Sequence, residues 1–210
     1  MAVSELTQKS DWRDGFLFLG NHLALDFLNT CPVQNGTAVE LLRDFDALLR
    51  WYQAADLLSS RETARLRQDW ETSVAARHVA EAMRELRERL RKEVLAGERG
   101  AAVHRVILDE LNRRMADHPM LTRLKASGSA SRMELWFDPR RPEGLFAPIA
   151  HSAAKLLSEA DWSRVRKCGQ CVLQFYDTSK KGTRRWCSMQ LCGNRIKVAA
   201  YAARRQLCAQ

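Results

Sequence analysis

The sequence lacks any apolar run approaching the ~18 residues that a membrane-spanning helix requires. Its first residues carry acids at Glu5, Asp11 and Asp14 and show no apolar segment behind a basic start, so a secretory signal peptide is not expected. Internal repeats and low-complexity tracts are missing too. So are a Ser/His/Asp set, a phosphate-binding glycine loop and a carboxylate pair, which argues against an enzyme. The expectation is a soluble, cytoplasmic, non-catalytic protein. Hydrophobic residues make up 46% of the chain, enough for a real core, and charged residues an ordinary 28%.

Acidic residues are nearly missing from one part of the chain. Residues 1–161 hold 23 Lys+Arg against 24 Asp+Glu, whereas residues 162–210 hold 11 Lys+Arg and a single acid, Asp177. The whole excess of positive charge thus lies on the last 49 residues. Such asymmetry points to a polyanionic partner, usually nucleic acid. The plainer alternative, a solubilising tail, fits poorly with Phe175, Tyr176, Trp186, Ile196, Val198 and Tyr201 in the same stretch.

What is present in residues 1–161 is mostly helical pattern. Residues 1–15 read as polar and loosely ordered, Phe16–Leu19 as a short strand closed by Gly20–Asn21, and His22–Thr30 as a helix stopped by Pro32. Thr37 with Glu40 and Ser59 with Glu62 fit capping boxes. Leu41, Leu42, Phe45, Leu48, Leu49 and Tyr52 share a broad face of the helix after the first box. Residues 72–95 give the clearest helix, with Val79, Met83, Leu86, Leu90 and Val94 as its stripe. Another helix is expected over 101–116, and Pro148 suits the first turn of one running to Ser158. Residues 127–131 read as a loop and residues 132–137 as a strand with Met133, Leu135 and Phe137 on one side. The expected fold class is α+β: a mainly helical N-terminal domain, 1–161, with a small β element, and a small C-terminal module, 162–210. The first is expected to fold without the second.

Four of the six cysteines crowd into 25 residues, while Cys31 and Cys208 stand alone. Cys168 and Cys171 are separated by two residues, Cys187 and Cys192 by four, and the pairs by fifteen. A two-residue gap allows a tight knuckle, and fifteen residues suffice for a hairpin that brings the chain back. Four thiolates then close a tetrahedral zinc shell, Zn–S about 2.3 Å, with no open position for water, which means structure rather than catalysis. A redox pair at Cys168 and Cys171 would need a strand–helix context that is not seen.

The run KCGQCVLQFYDTSKKGTRRWCSMQLCGNRIKVAAYAARR resembles the CGNR zinc finger, named for the tetrapeptide Cys192–Gly193–Asn194–Arg195. The matching pieces, FYDTSKKGTRRWCS and CGNRIKVAAY, are nearly continuous over about 40 residues. GNHLALDFLNT at 20–30 and FAPIAHSAAKLL at 146–157 resemble the two most recognisable segments of an ABATE-type domain, the usual N-terminal companion of this finger. The resemblance implies a bacterial transcription regulator, stress-linked, with a treble-clef-like zinc module as the DNA-binding part. The chain departs in one point: family members often have a longer gap between the first two cysteines.

Residues 193–206 read as a helix behind the last cysteine, with Ile196, Ala199, Ala200 and Ala203 inward. Lys180, Lys181, Arg184, Arg185, Arg195, Lys197, Arg204 and Arg205 are the candidate nucleic-acid contacts, since Arg and Lys neutralise phosphates and Arg also pairs with guanine. For Arg195 a bond to thiolates or carbonyls is an equal alternative, and Trp186 reads as a core filler. In the N-terminal domain, Asp26, Asn29 and Thr30 share a helix face and are candidate ligand contacts for a small-molecule effector, with capping and core hydrogen bonding as the plainer reading. His151 reads as a packed histidine. Two functions follow: a DNA-binding transcription regulator, with which a homodimer is compatible, or an adaptor whose zinc module docks an acidic protein.

Overall fold

Helix α1 (Leu23–Leu28) is short because its sequence offers only six residues between an N-cap and a break. His22 caps it by accepting from the Ala24 amide, and the chain leaves at Asn29 toward Pro32. Ala24, Leu25, Phe27 and Leu28 are all buried, which makes α1 the axle around which the rest packs. The computed structural model describes residues 11–34, 36–128 and 130–194.

Ahead of α1, β1 (Trp12–Arg13) and β2 (Phe16–Leu17) form a hairpin across Asp14–Gly15, both with positive φ, as a two-residue turn of this hand requires. Loose order was expected for residues up to 15; within the described part, the turn chemistry of Asp14–Gly15 orders the chain instead. A second small hairpin follows α1: β3 (Val33–Gln34) and β4 (Thr37–Ala38). Thr37 is therefore strand, not an N-cap. Glu40 spends its carboxylate on the Leu42 amide and on Arg87, so the expected capping box does not form.

The next helix, α2 (Phe45–Ala54), starts at Asp44, whose side chain accepts from the Ala47 amide. It buries Phe45, Leu48, Leu49, Trp51 and Tyr52, and the Tyr52 hydroxyl donates to the Leu145 carbonyl. Ser59 and Glu62 form the expected capping box of α3 (Ser60–Trp70). Helix α4 (Val74–Gly97) follows, capped by Ser73, with the expected stripe of Val79, Met83, Leu86, Leu90 and Val94 buried. Arg87 lies on the same buried face at 2% exposure, held by both oxygens of Glu40 and by Thr30. Such a cation is tolerable inside only when paired and fully hydrogen-bonded.

Helix α5 (Arg105–Asp117) packs on α6 (Phe146–Glu159). Between them runs a hairpin of β5 (Leu121–Ser127) and β6 (Ala130–Trp136). The loop expected at 127–131 shrinks to a turn at Gly128, because residues 121–127, not expected as strand, pair with 130–136. Met133 and Leu135 are exposed, whereas Phe137 is buried in the core. The chain then enters β7 (Val165–Lys167) and β8 (Gln174–Tyr176), an antiparallel pair that begins the four-cysteine region. A mainly helical region with small strand pairs is thus joined to a small cysteine-bearing module. No helix among the described residues is long and apolar enough to cross a membrane.

Candidate metal centre and basic face

The β7–β8 hairpin exists to turn the chain at Cys168 and Cys171. The Cys168 amide donates to the Leu173 carbonyl at 2.8 Å, closing the knuckle, and the Gly169 amide donates to the Arg185 carbonyl at 3.0 Å, tying it to the returning chain. At Gly169 a Cβ would lie 3.1 Å from the Trp186 ring, so the ring lies directly on the knuckle. Ser188 then caps a single wide turn, Met189–Gly193, that delivers Cys192.

The four sulfurs converge. All lie within 4.8 Å of one another, with Cys171 to Cys187 at 3.7 Å and Cys187 to Cys192 at 3.6 Å. A tetrahedron with metal–sulfur bonds of about 2.3 Å has edges of about 3.8 Å, so the spacing fits a closed four-thiolate shell. The donors' acid–base behaviour gives a second fit. S–H donation from Cys171 and Cys187 holds Cys168 far below the ordinary thiol range. Bonding to Cys168 in turn pushes Cys171 up to about 12 and drives Cys187 far above the thiol range. Four thiols so placed cannot all ionise unless a cation sits among them, and a divalent metal removes that conflict. Cys31 lies apart from the cluster, and Cys208 lies outside the described residues.

Asp177, the single acid of the basic segment, is fully buried. Burial would raise its carboxyl, but bonds from Ser179 and from the amides of Arg184 and Ser179, with Arg164 nearby, hold it below the usual carboxylate range. It therefore braces the 177–184 loop from within. Arg164 donates to the carbonyls of Asp177 and Ser179, and Arg166 to that of Gly182. Nothing in a motif search points to these braces, although Asp177's isolation among 11 cations is a signal that could have found it.

The candidate contacts divide. Lys180, Lys181 and Arg185 are exposed, and Arg185 lies over the Trp186 ring, 5.2 Å from its centroid. Arg184 is half-buried: it stacks on Phe175 and donates to the carbonyls of Trp186 and Cys187, so its guanidinium is spent on the metal loop. Arg195, Lys197, Arg204 and Arg205 lie outside the described residues, as does all of the helix expected over 193–206 beyond Gly193, which closes the wide turn, and Asn194.

Asp26, Asn29 and Thr30 are all buried, and their polar atoms are spent inside the protein on three different partners. Asp26 accepts from the Gly20 amide at 2.7 Å, and burial raises its carboxyl to about 7. Thr30 donates to the Phe27 carbonyl and accepts from Arg87. Asn29 both donates to and accepts from the backbone of Gln174, each at 2.8 Å, which clamps β8 to α1. The Tyr176 amide donates to the Gly20 carbonyl, and Ser188 donates to Asp11. Leu17 and Leu19 complete the small core of Cys168, Leu173, Phe175, Cys187 and Cys192. His151 is half-buried on α6.

No curated protein matches the chain. Two family models do: ABATE, described as "putative stress-induced transcription regulator", over residues 21–160, and the CGNR zinc finger over residues 164–205. With two thirds of its length under the first model and the four converging cysteines under the second, the chain belongs to the ABATE family and carries a C-terminal CGNR zinc finger.

Proposed function

We propose that the protein is a DNA-binding transcription regulator, not an enzyme: a structural zinc ion builds the four-cysteine finger, the finger meets the phosphate backbone, and the helical region senses an effector. The observation that carries this reading is the segregation of charge. A nearly neutral helical region holds a basic module whose Lys180, Lys181 and Arg185 stand exposed on a loop braced from inside by Asp177. Zinc is the metal that a closed shell of four thiolates suits, and such a shell lacks the open position that metal catalysis needs. Arg184, by its bonds to the loop carbonyls, shapes the surface. Arg195, Lys197, Arg204 and Arg205 extend the basic set, with Arg204 or Arg205 as the base-reading candidates.

The test is a fluorescence anisotropy titration of full-length, zinc-loaded protein with duplex DNA across a salt series. Four to six phosphate contacts give a logarithmic slope of roughly −4 to −5. Lys180→Ala or Lys181→Ala flattens it by about one unit and weakens all sequences alike. Absence of binding to any duplex at about 50 mM salt, with the metal in place, would transfer the basic face to an acidic protein partner.

A further inference from the structure

The β5–β6 ribbon stands clear of the core, and its charges are segregated. Successive side chains of a strand point to opposite faces, and directly paired residues share a face. One face carries Arg123, Lys125, Arg132 and Glu134, where the one carboxylate meets all three cations: Arg123 at 2.8 Å, Arg132 at 3.6 Å and Lys125 at 3.7 Å. The other face carries the pairs Thr122–Leu135, Leu124–Met133 and Ala126–Ser131, with no charge at all. No element among the described residues covers it: Leu124, Met133 and Leu135 are 76%, 73% and 58% exposed. A lone two-stranded ribbon is marginal in water, and stability comes from a further layer on its apolar face.

We propose that this layer is a second copy of the chain, stacked on the uncharged face as an antiparallel two-fold pair. Three features single out that occupant. The face offers no charge with which a nucleic acid or a charged peptide could pair. Its shape complements itself: Leu135 lies at the foot, while Ala126 and Ser131, both small, lie near the tip. An antiparallel copy sets Leu135 on the partner's Ser131 and Thr122 on the partner's Ala126, with Leu124 and Met133 each meeting its own counterpart, as an isologous contact requires. The helical regions, joined to the ribbon at Leu121 and Trp136, then lie at opposite ends. The area is sufficient as well. On ordinary side-chain areas the six residues expose roughly 500 Å², so the pair buries about 1,000 Å², the lower bound of a specific interface. Such an interface gives a weak dimer, half-formed at roughly tens of micromolar. Each dimer carries two zinc fingers and so addresses two half-sites; that consequence alone rests on the regulator reading given above.

The experiment is sedimentation equilibrium of the full-length, zinc-loaded chain without DNA, from about 1 to about 200 μM. A monomer–dimer equilibrium is expected. Leu124→Glu sets two carboxylates against each other across the two-fold and raises the dissociation constant about tenfold or more; Leu124→Lys does the same with two ammonium groups. An equimolar mixture of these two variants associates again, a result that misfolded variants cannot give. Lys125→Gln, on the charged face, leaves association unchanged. The proposal is overturned if the parent stays monomeric throughout, which would give the face to a different protein. It is equally overturned if Leu124→Glu associates like the parent, if the mixture stays monomeric, or if Lys125→Gln dissociates the dimer as strongly. A dimer that binds no duplex keeps the interface and removes the regulator reading; a persistent monomer that binds duplex removes the interface and leaves that reading standing.

Discussion

Among the described residues, one continuous core of thirty buried apolar residues runs from Phe16 to Val165, almost all of them in the helical region, whereas the core at the four cysteines has seven, three of them cysteines. Two of those seven, Leu17 and Leu19, are not its own: they come from the N-terminal hairpin segment. Seven such residues offset little of the entropy of ordering the chain around them, so a metal and a neighbouring region add to what holds this part of the finger. It is anchored by Asn29 on β8, by the Glu98 carboxylate accepting from the Lys167 amide, and by Trp162 lying against Gly97. Burial of area holds one region; ligation and borrowed contacts hold the other.

The sharpest way to break the comparison is to remove a ligand. Cys187→Ser should lose the metal and the fold of residues 165–193 together, since binding free energies of about 10–16 kcal/mol in such modules are folding free energies. Metal analysis with circular dichroism reads it; one zinc per chain in the parent and none in the variant is expected.

Asp26 gives the next largest effect. Its folded-state carboxyl titrates near 7, raised by burial, against about 3.8 in the unfolded chain. Between those values the folded state holds the extra proton, so stability falls as pH rises from about 4 to 7 and the loss is complete above 7. At 1.36 kcal/mol per unit the full effect is about 4 kcal/mol. Asp26→Asn should abolish this dependence, leaving a variant more stable than the parent at pH 8 in urea unfolding. Parallel curves for the two proteins between pH 5 and 8 would contradict the assignment.

A hole in the large core should cost less and dissolve nothing. Leu86, fully buried on α4, becomes Leu86→Ala at about 3 kcal/mol, with finger and metal content unchanged. Asn29→Ala should cost about 2 kcal/mol by stranding the Gln174 backbone groups. Its signature is regional: faster amide exchange in β8 with α2 unaffected. Uniform destabilisation would mean that the clamp is ordinary packing.

Much of this was legible in sequence because its physics is local. Cysteine spacing, the Ser59–Glu62 box and the α4 stripe each depend on residues a few positions apart. The Thr37–Glu40 box misled because Glu40's partner, Arg87, is 47 positions away. Strand β5 left no burial signal: Leu121 and Leu124 are exposed, and with both faces turned to solvent apolar and polar residues need not alternate. Asp14–Gly15 was a readable turn, overlooked among polar neighbours. For Asp26, Asn29 and Thr30 spacing suggested one helix face, but α1 ends at Leu28, and what each side chain meets is decided elsewhere: for Asn29 by β8, 145 residues on. Counting charge likewise found the basic segment without separating Arg164, Arg166 and Arg184, turned inward to carbonyls, from Lys180, Lys181 and Arg185, left outside.

Hydrogen–deuterium exchange on the full chain, before and after zinc is removed by a chelator, tests the union of the two regions most directly. The account predicts that protection vanishes over residues 165–193 and drops in step over residues 16–30, where Leu17, Leu19 and Asn29 lose their partners, while α2 and α4 keep theirs. Protection unchanged over 165–193, or lost there with residues 16–30 untouched, would contradict it.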